Sequence, residues 1–248
     1  MWTLENAIVI GLTFFVAGAV KGVIGLGLPT VALALLTTAL GLKEAMALLL
    51  FPSFVTNVWQ GLAGGALAAI LARTWTLLAA VCAATWIGVA ILAATDARVM
   101  SALLGGLLCV YAALSLSKLR MPGPDRRLEP WLSPLVGAVN GVLTGMTGSF
   151  VVPGVLYLQA LGLPREVLIQ AMGVLFTVST LALAVSLNDQ RLLSPELAIL
   201  SGAAIPPALI GMAVGQKVRR RLSEATFRKL LFGSLAALGA YIAVRSLS

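Results

Sequence analysis

The chain is 248 residues long, 60% hydrophobic and only 10% charged, with a mean hydropathy of +1.02. That leaves too little polar surface to cover a water-soluble globule, which excludes a soluble enzyme or binding domain. The formal charge of +8 would suggest nucleic acid in a soluble protein, but here the charges sit at the ends of apolar runs, where membrane topology and lipid head groups account for them.

The N-terminal "MWTLENAIVIG" has no basic residue ahead of its apolar run, so it reads as the start of a retained span, not a cleavable signal peptide. Polar breaks then divide the chain into apolar blocks: Asn6 to Leu42, Ala45 to Ala72, Trp75 to Thr95, Val99 to Ser117, Trp131 to Leu163, Val167 to Leu187, Pro195 to Gln216 and Ala225 to Val244. Several approach or exceed the roughly 20 apolar residues that cross a bilayer. Between the fourth and fifth blocks lies "KLRMPGPDRRLEP", Lys118 to Pro130, whose charges, prolines and glycine mark a boundary. The expected organisation is a first transmembrane repeat over 1–117, a charged cytoplasmic linker over 118–130 and a second transmembrane repeat over 131–248.

The halves echo each other. "KGVIGLGLP" at Lys21 to Pro29 and "TGMTGSFVVP" at Thr144 to Pro153 occupy matching places in the first and fifth blocks, followed by "LGLKEAM" and "LGLPREVL". "WIGVAI" at Trp86 and "LIGMAV" at Leu209 lie in the third and seventh blocks. An internal duplication of about 120 residues is expected, a common plan among transporters. The first and fifth blocks, 37 and 33 residues long, are too long for single crossings of a hydrocarbon core of about 30 Å at about 1.5 Å per residue. Each is also interrupted by glycine. Two half-helices meeting at a glycine-rich bend are expected, as a re-entrant or a full hairpin.

Ten of the seventeen basic residues fall in two clusters, Lys118, Arg120, Arg126 and Arg127, then Lys217, Arg219, Arg220, Arg221, Arg228 and Lys229. Both clusters are expected on the cytoplasmic side. Three single crossings between them would put them on opposite sides, whereas a fifth block that enters and returns removes the conflict. The same rule places Lys43 and the N-terminus outside and Arg73 inside. The fold expected is therefore an all-α polytopic membrane protein of two homologous halves, arranged as inverted repeats, each a glycine-broken helical hairpin plus three transmembrane helices, with the two bends facing each other near the midplane.

Half-helix N-termini inside a membrane present unpaired N–H groups and a partial positive charge, and glycine admits a ligand close to the backbone. This makes Gly22, Gly25, Gly27, Gly145 and Gly148 candidate anion-site residues, with close helix packing as their plainer role. Lys21 lies well inside an apolar run, where a cation is costly; it either faces substrate or snorkels to an interface. Ser53, Thr56, Asn57 and Gln60 share one helical face. Gln170, Thr177, Ser179 and Thr180 occupy roughly corresponding ground, and Asn140, Thr144, Thr147 and Ser149 decorate the second bend. For the Ser and Thr hydroxyls an ordinary helix–helix hydrogen bond is the better reading than a substrate contact; Asn57 and Gln60 stand out because a buried amide needs several partners.

Glu5, Glu44, Asp96, Asp125, Glu129, Glu166, Asp189, Glu196 and Glu224 all fall near span ends or in loops, which disfavours a sodium cage or a mid-membrane proton relay; proton coupling through Glu5 or Glu44 stays open. No histidine is present, and Cys82 and Cys109 form no CxxC pair, so no metal, haem, disulfide or other cofactor is expected. Nor is there a GxSxG pattern or a paired set of membrane carboxylates, so an enzyme is not expected.

The paired glycine motifs, "PSFVTNVWQG" at Pro52 to Gly61 and "GMTGSFVVPGVLYLQALGLPREVLIQAMG" at Gly145 to Gly173, resemble the TauE/SafE family of sulfite and organosulfonate exporters over nearly the whole chain. Leu28 and Pro29 stand where further glycines are common in that family. The resemblance implies a multi-pass carrier in the bacterial inner membrane that exports sulfite or a short organosulfonate such as sulfoacetate. Its partners would be the small anion and the bilayer, with no nucleic acid. Alternating access driven by membrane potential or a proton gradient is the expected mechanism; an anion channel, or a carrier of another small organic anion, is the alternative.

Overall fold

The computed structural model describes residues 3–117, 123–219 and 223–247, which form twelve helices and no strand. The first half contains α1 (Leu4–Ile24), α2 (Leu28–Leu40), α3 (Leu42–Leu48), α4 (Leu50–Leu62), α5 (Leu67–Ala94) and α6 (Ala97–Leu116). The second contains α7 (Glu129–Thr147), α8 (Gly154–Ala160), α9 (Arg165–Asp189), α10 (Pro195–Ala203), α11 (Ile205–Arg219) and α12 (Glu224–Leu247). Among the described residues α1, α5, α6, α9, the α10–α11 pair and α12 are each long and apolar enough to cross a bilayer; α3–α4, bent by 44°, adds a seventh if it counts as one span. Each half is thus a glycine-broken pair followed by three spans, an all-helical membrane fold. Lys118, Arg120, Arg220 and Arg221, counted above in the basic clusters, lie outside the described residues.

Several boundaries differ from those expected. The second block ends at Leu62, not Ala72, because Gly64 and Gly65 adopt φ of 135° and 77° and break the helix. Arg73, taken above as a polar break, lies inside α5, where its guanidinium is hydrogen-bonded to Glu129 at 2.7 and 3.0 Å, and the charge is matched without ending the helix. Glu129 also opens α7, so the linker stops at Leu128. The seventh block is interrupted at Ala204, since Pro206 and Pro207 have no N–H to continue the ladder.

Two compact units emerge, and neither is a sequence half. The first comprises Met1–Pro52, Asp96–Lys118 and Leu193–Ser248; the second comprises Ser53–Thr95 and Leu119–Leu192. Within the first, α1 packs on α11 and α6 on α12; within the second, α5 packs on α7 and α9. Close backbone approach drives both main pairings. A Cβ on Gly18 would run into the Ala208 carbonyl oxygen and one on Gly22 into that of Met212; Gly211 and Gly215 approach Phe15 and Ala19 in return. In the second unit Gly137, Gly141 and Gly145 approach the carbonyl oxygens of Leu77, Val81 and Thr85 in the same four-residue steps. Small residues at this spacing let helix backbones meet where lipid removes the hydrophobic drive.

That register corrects one internal echo. Gly22 meets Met212 and Gln216 as Gly145 meets Thr85 and Val89, and Gly215 meets Ala19 as Gly88 meets Val142, so Gly215 corresponds to Gly88 and Gly211 to Ala84. The likeness of "WIGVAI" to "LIGMAV" pairs Gly211 with Gly88 instead, about one helical turn off register. The helix before each bend packs on the third span of the other half, the exchange expected of a duplicated chain.

In the first unit the α3–α4 break is closed by a side chain. Pro52 has no N–H for the Leu48 carbonyl; Ser201 Oγ on α10 donates to Leu48 O at 2.7 Å and accepts from Phe51 N–H at 3.1 Å.

Candidate functional site

The first unit carries the first bend. α1 ends where Gly25 turns left-handed, φ 80°, and its N–H donates to Lys21 O at 2.8 Å. Gly27, φ 106°, then starts α2 without a side-chain cap, and Val31 N–H returns to Gly27 O at 2.8 Å. Both glycines hold conformations that side chains disfavour. Pro29 contributes no donor, so the first-turn N–H groups of Leu28 and Thr30 are those that lack a helical acceptor by position. The bend therefore joins the negative end of one helix to the positive end of the next, rather than presenting positive charge alone. Lys21 lies in the last turn of α1, 4% exposed. Gly22, beside it, is used for packing on α11.

The second unit carries the other bend. Gly148, φ 73°, ends α7 with its N–H on Thr144 O at 2.7 Å. The loop is held by its own side chains: Thr144 Oγ1 donates to Ser149 O at 3.1 Å, Ser149 N–H donates to Thr147 Oγ1 at 3.3 Å, and Thr147 Oγ1 donates to Leu143 O at 2.6 Å. Thr144, Thr147 and Ser149 are thus brought together, and their hydrogen bonds build the bend. Gly145 packs on α5. The following helix, α8, is only 7 residues long, against 13 for α2, and its Gly154 N–H donates to Asn140 Oδ1 at 2.9 Å.

The other two site residues also lie in the second unit. Asn57 on α4 is fully buried. Gln60 Nε2 donates to Ile169 O at 2.7 Å, while Gln170 Nε2 donates to Gly61 O at 2.9 Å and its Oε1 accepts from Ala66 N–H at 3.0 Å. The two glutamines tie the end of α4 to α9 at the Gly61–Gly173 approach, a structural use of the Gln60 amide. Among the described residues no group of His, Cys, Asp and Glu is placed to hold a metal.

One residue gains weight from the structure. By residue likeness "GAVKGVI", Gly18 to Ile24, aligns with "GAVNGVL", Gly137 to Leu143, which matches Lys21 to Asn140, whereas the glycine contacts match Gly22 to Gly145 and so Lys21 to Thr144. Asn140 is fully buried, and its Nδ2 has no hydrogen-bond partner among the described residues. That likeness is legible in the sequence, four residues out of step with the alignment of the glycine motifs.

Apolar helices broken at glycine bends, with a buried lysine ahead of the first and a buried asparagine ahead of the second, suit a multi-span membrane protein built as transporters are. The family model described as Sulfite exporter TauE/SafE matches residues 10–242 of this chain. The chain belongs to the TauE/SafE family, and its family is one of membrane transporters of sulfur compounds. No curated protein and no solved structure matches it.

Proposed function

We propose that the chain exports a small sulfur oxyanion, sulfite or a short organosulfonate such as sulfoacetate, across a bacterial inner membrane by alternating access, with the basic clusters cytoplasmic. The observation that carries this reading is Lys21, 4% exposed in the last turn before the first bend. When Lys21 carries its proton, the ammonium charge exceeds the roughly half charge of the α1 C-terminus beside it, and that surplus would attract an anion. The N–H groups of Leu28 and Thr30 supply neutral donors at the same bend. In the second unit Asn140 is fully buried and its Nδ2 has no hydrogen-bond partner among the described residues, a neutral amide donor of the kind that binds sulfonate oxygens without a second buried charge.

No driving ion is needed for export of an anion, because an inside-negative potential moves each negative charge outward with about 2.3 kcal/mol per 100 mV; a proton gradient acting through Glu5 or Glu44 would add to it. Purified protein in liposomes, challenged with sulfite, sulfoacetate and small carboxylates under an imposed potential, tests the reading. Saturable flux of the sulfur anions is expected, reduced at least about tenfold in Lys21→Met with folding intact, as loss of a charged contact implies. Undiminished flux in that variant would sink the assignment, and unitary currents would make the protein a channel.

A further inference from the structure

The first unit holds a second place suited to an anion, away from the bend. Where α2 gives way to α3, a cavity of about 430 Å³ opens against the start of α6 and the end of α12. Lys43, Arg98 and Arg245 all line it, and Glu44 is the single carboxylate among its lining residues. The volume far exceeds the roughly 30 Å³ share of one water, leaving room for an oxyanion with part of its hydration.

Glu44 lies over the start of its own helix. It sits in the first turn of α3 and folds back over Gly41, where a Cβ would lie 2.9 Å from Glu44 Oε2; a carboxylate there complements the helix N-terminus. The cations are less easily explained by the fold. Arg98 lies in the first turn of α6, where the helix dipole opposes a positive charge, offset only by Asp96, which accepts from Arg98 N–H at 2.8 Å. Among the described residues neither Lys43 nor Arg98 forms an ion pair. Arg245 is oriented on the cavity wall by the Thr38 carbonyl at 3.5 Å and Tyr241 Oη at 3.2 Å, with its guanidinium 5.9 Å from the Tyr241 ring centroid.

Topology does not account for them either. α6 and α12 run antiparallel: Arg228 donates to Ser115 O at one end of the pair, Tyr111 meets Phe232 further along, and Arg98 and Arg245 share the cavity at the other end. The positive-inside rule concentrates cations on one side of the membrane, and the cluster through Lys217 to Lys229 already marks the Arg228 end. The three cavity cations lie at the opposite end.

We propose that this cavity is a binding site for an oxyanion, a sulfonate, sulfate or phosphate group, presented by a free solute or by the head group of an anionic lipid. Two guanidinium forks and one ammonium match such a group through charge-assisted hydrogen bonds, and Ser101 adds a hydroxyl to the wall.

Calorimetric titration of sodium sulfate into detergent-purified wild-type protein reads the free-solute arm. Native mass spectrometry of protein released from mixed phosphatidylcholine and phosphatidylglycerol vesicles reads the lipid arm. Saturable sulfate binding, weakened at least about tenfold in the double variant Arg98→Gln, Arg245→Gln, supports a free-solute site. Retained phosphatidylglycerol that is lost in the same variant, with sulfate silent, supports a head-group site. Failure of the wild type to bind either probe overturns the proposal, as does equal binding by wild type and variant; the first result needs no variant to fold. Lys21→Met is expected to keep this binding, so failure of the transport reading and failure of this site are told apart.

Discussion

Replacing Gly141 by alanine tests the helix-packing account directly. A Cβ there would stand 2.5 Å from the Val81 carbonyl oxygen, 2.9 Å from Ala84 Cβ and 3.0 Å from Val81 Cα, about 0.9 Å inside the 3.4 Å at which ordinary contact begins. The obstructing atoms are backbone or anchored directly to it, so α5 and α7 must separate along a seam that also includes Gly137 and Gly145. Overpacking of this kind costs about 1–3 kcal/mol, against a gain of at most about 1 kcal/mol from the better helix propensity of alanine. A net loss of about 1–2 kcal/mol is expected. At Gly106, in the interior of α6, a Cβ would meet nothing within 4 Å, so Gly106→Ala keeps only the propensity gain and is neutral to stabilising. Thermal unfolding of both variants in one detergent reads the difference in sign. Equal shifts, or a stabilised Gly141→Ala, would refute the claim that close approach of α5 and α7 holds the second unit together.

Ser201→Ala removes both bonds that close the α3–α4 break. Each buried group left without a partner costs about 1–3 kcal/mol, less where the membrane-embedded unfolded state finds substitutes, so a loss of about 2 kcal/mol in detergent unfolding is expected, and a loss below about 0.5 kcal/mol would show the break to be self-sufficient. Gly27→Ala forces a side chain into φ 106° and is expected to cost about 1 kcal/mol or more, with transport falling further than stability if the bend serves the substrate. For Arg73 and Glu129, which are 29% and 13% exposed, Glu129→Leu alone is expected to destabilise by about 1–2 kcal/mol and the double change to leucine by less, because a stranded partner costs more than a missing pair; additive losses in a double-mutant cycle would contradict this. Asn140→Lys is expected to weaken sulfite flux by adding a buried charge, whereas Asn140→Asp should abolish it by repelling the anion; flux assays on folded protein separate the two.

Much of this architecture was legible because a bilayer leaves few alternatives. Every buried backbone group must be satisfied internally, so long apolar runs with glycine breaks had to be helices with bends, and the bends appear at Gly25–Gly27 and after Gly148. Composition alone gave the class, and the chain-length order of motifs gave the family. Partnerships were not legible. Arg73 looked like the edge of a span until Glu129, 56 residues away, was seen to neutralise it. The bond of Gln60 to the Ile169 carbonyl, and those by which Thr144, Thr147 and Ser149 hold the second bend, are likewise not written in the local sequence. A side chain's hydrogen-bonding capacity is written in its type, but who takes it up depends on which backbone lies within 3 Å, and only the folded chain brings distant segments that close. The chain itself specified apolar helices, their glycine breaks and a lysine inside an apolar run; tertiary packing decided that each unit mixes both halves, that Gly22 and Gly145 are contact points between helices, and that the Lys21 side chain is buried.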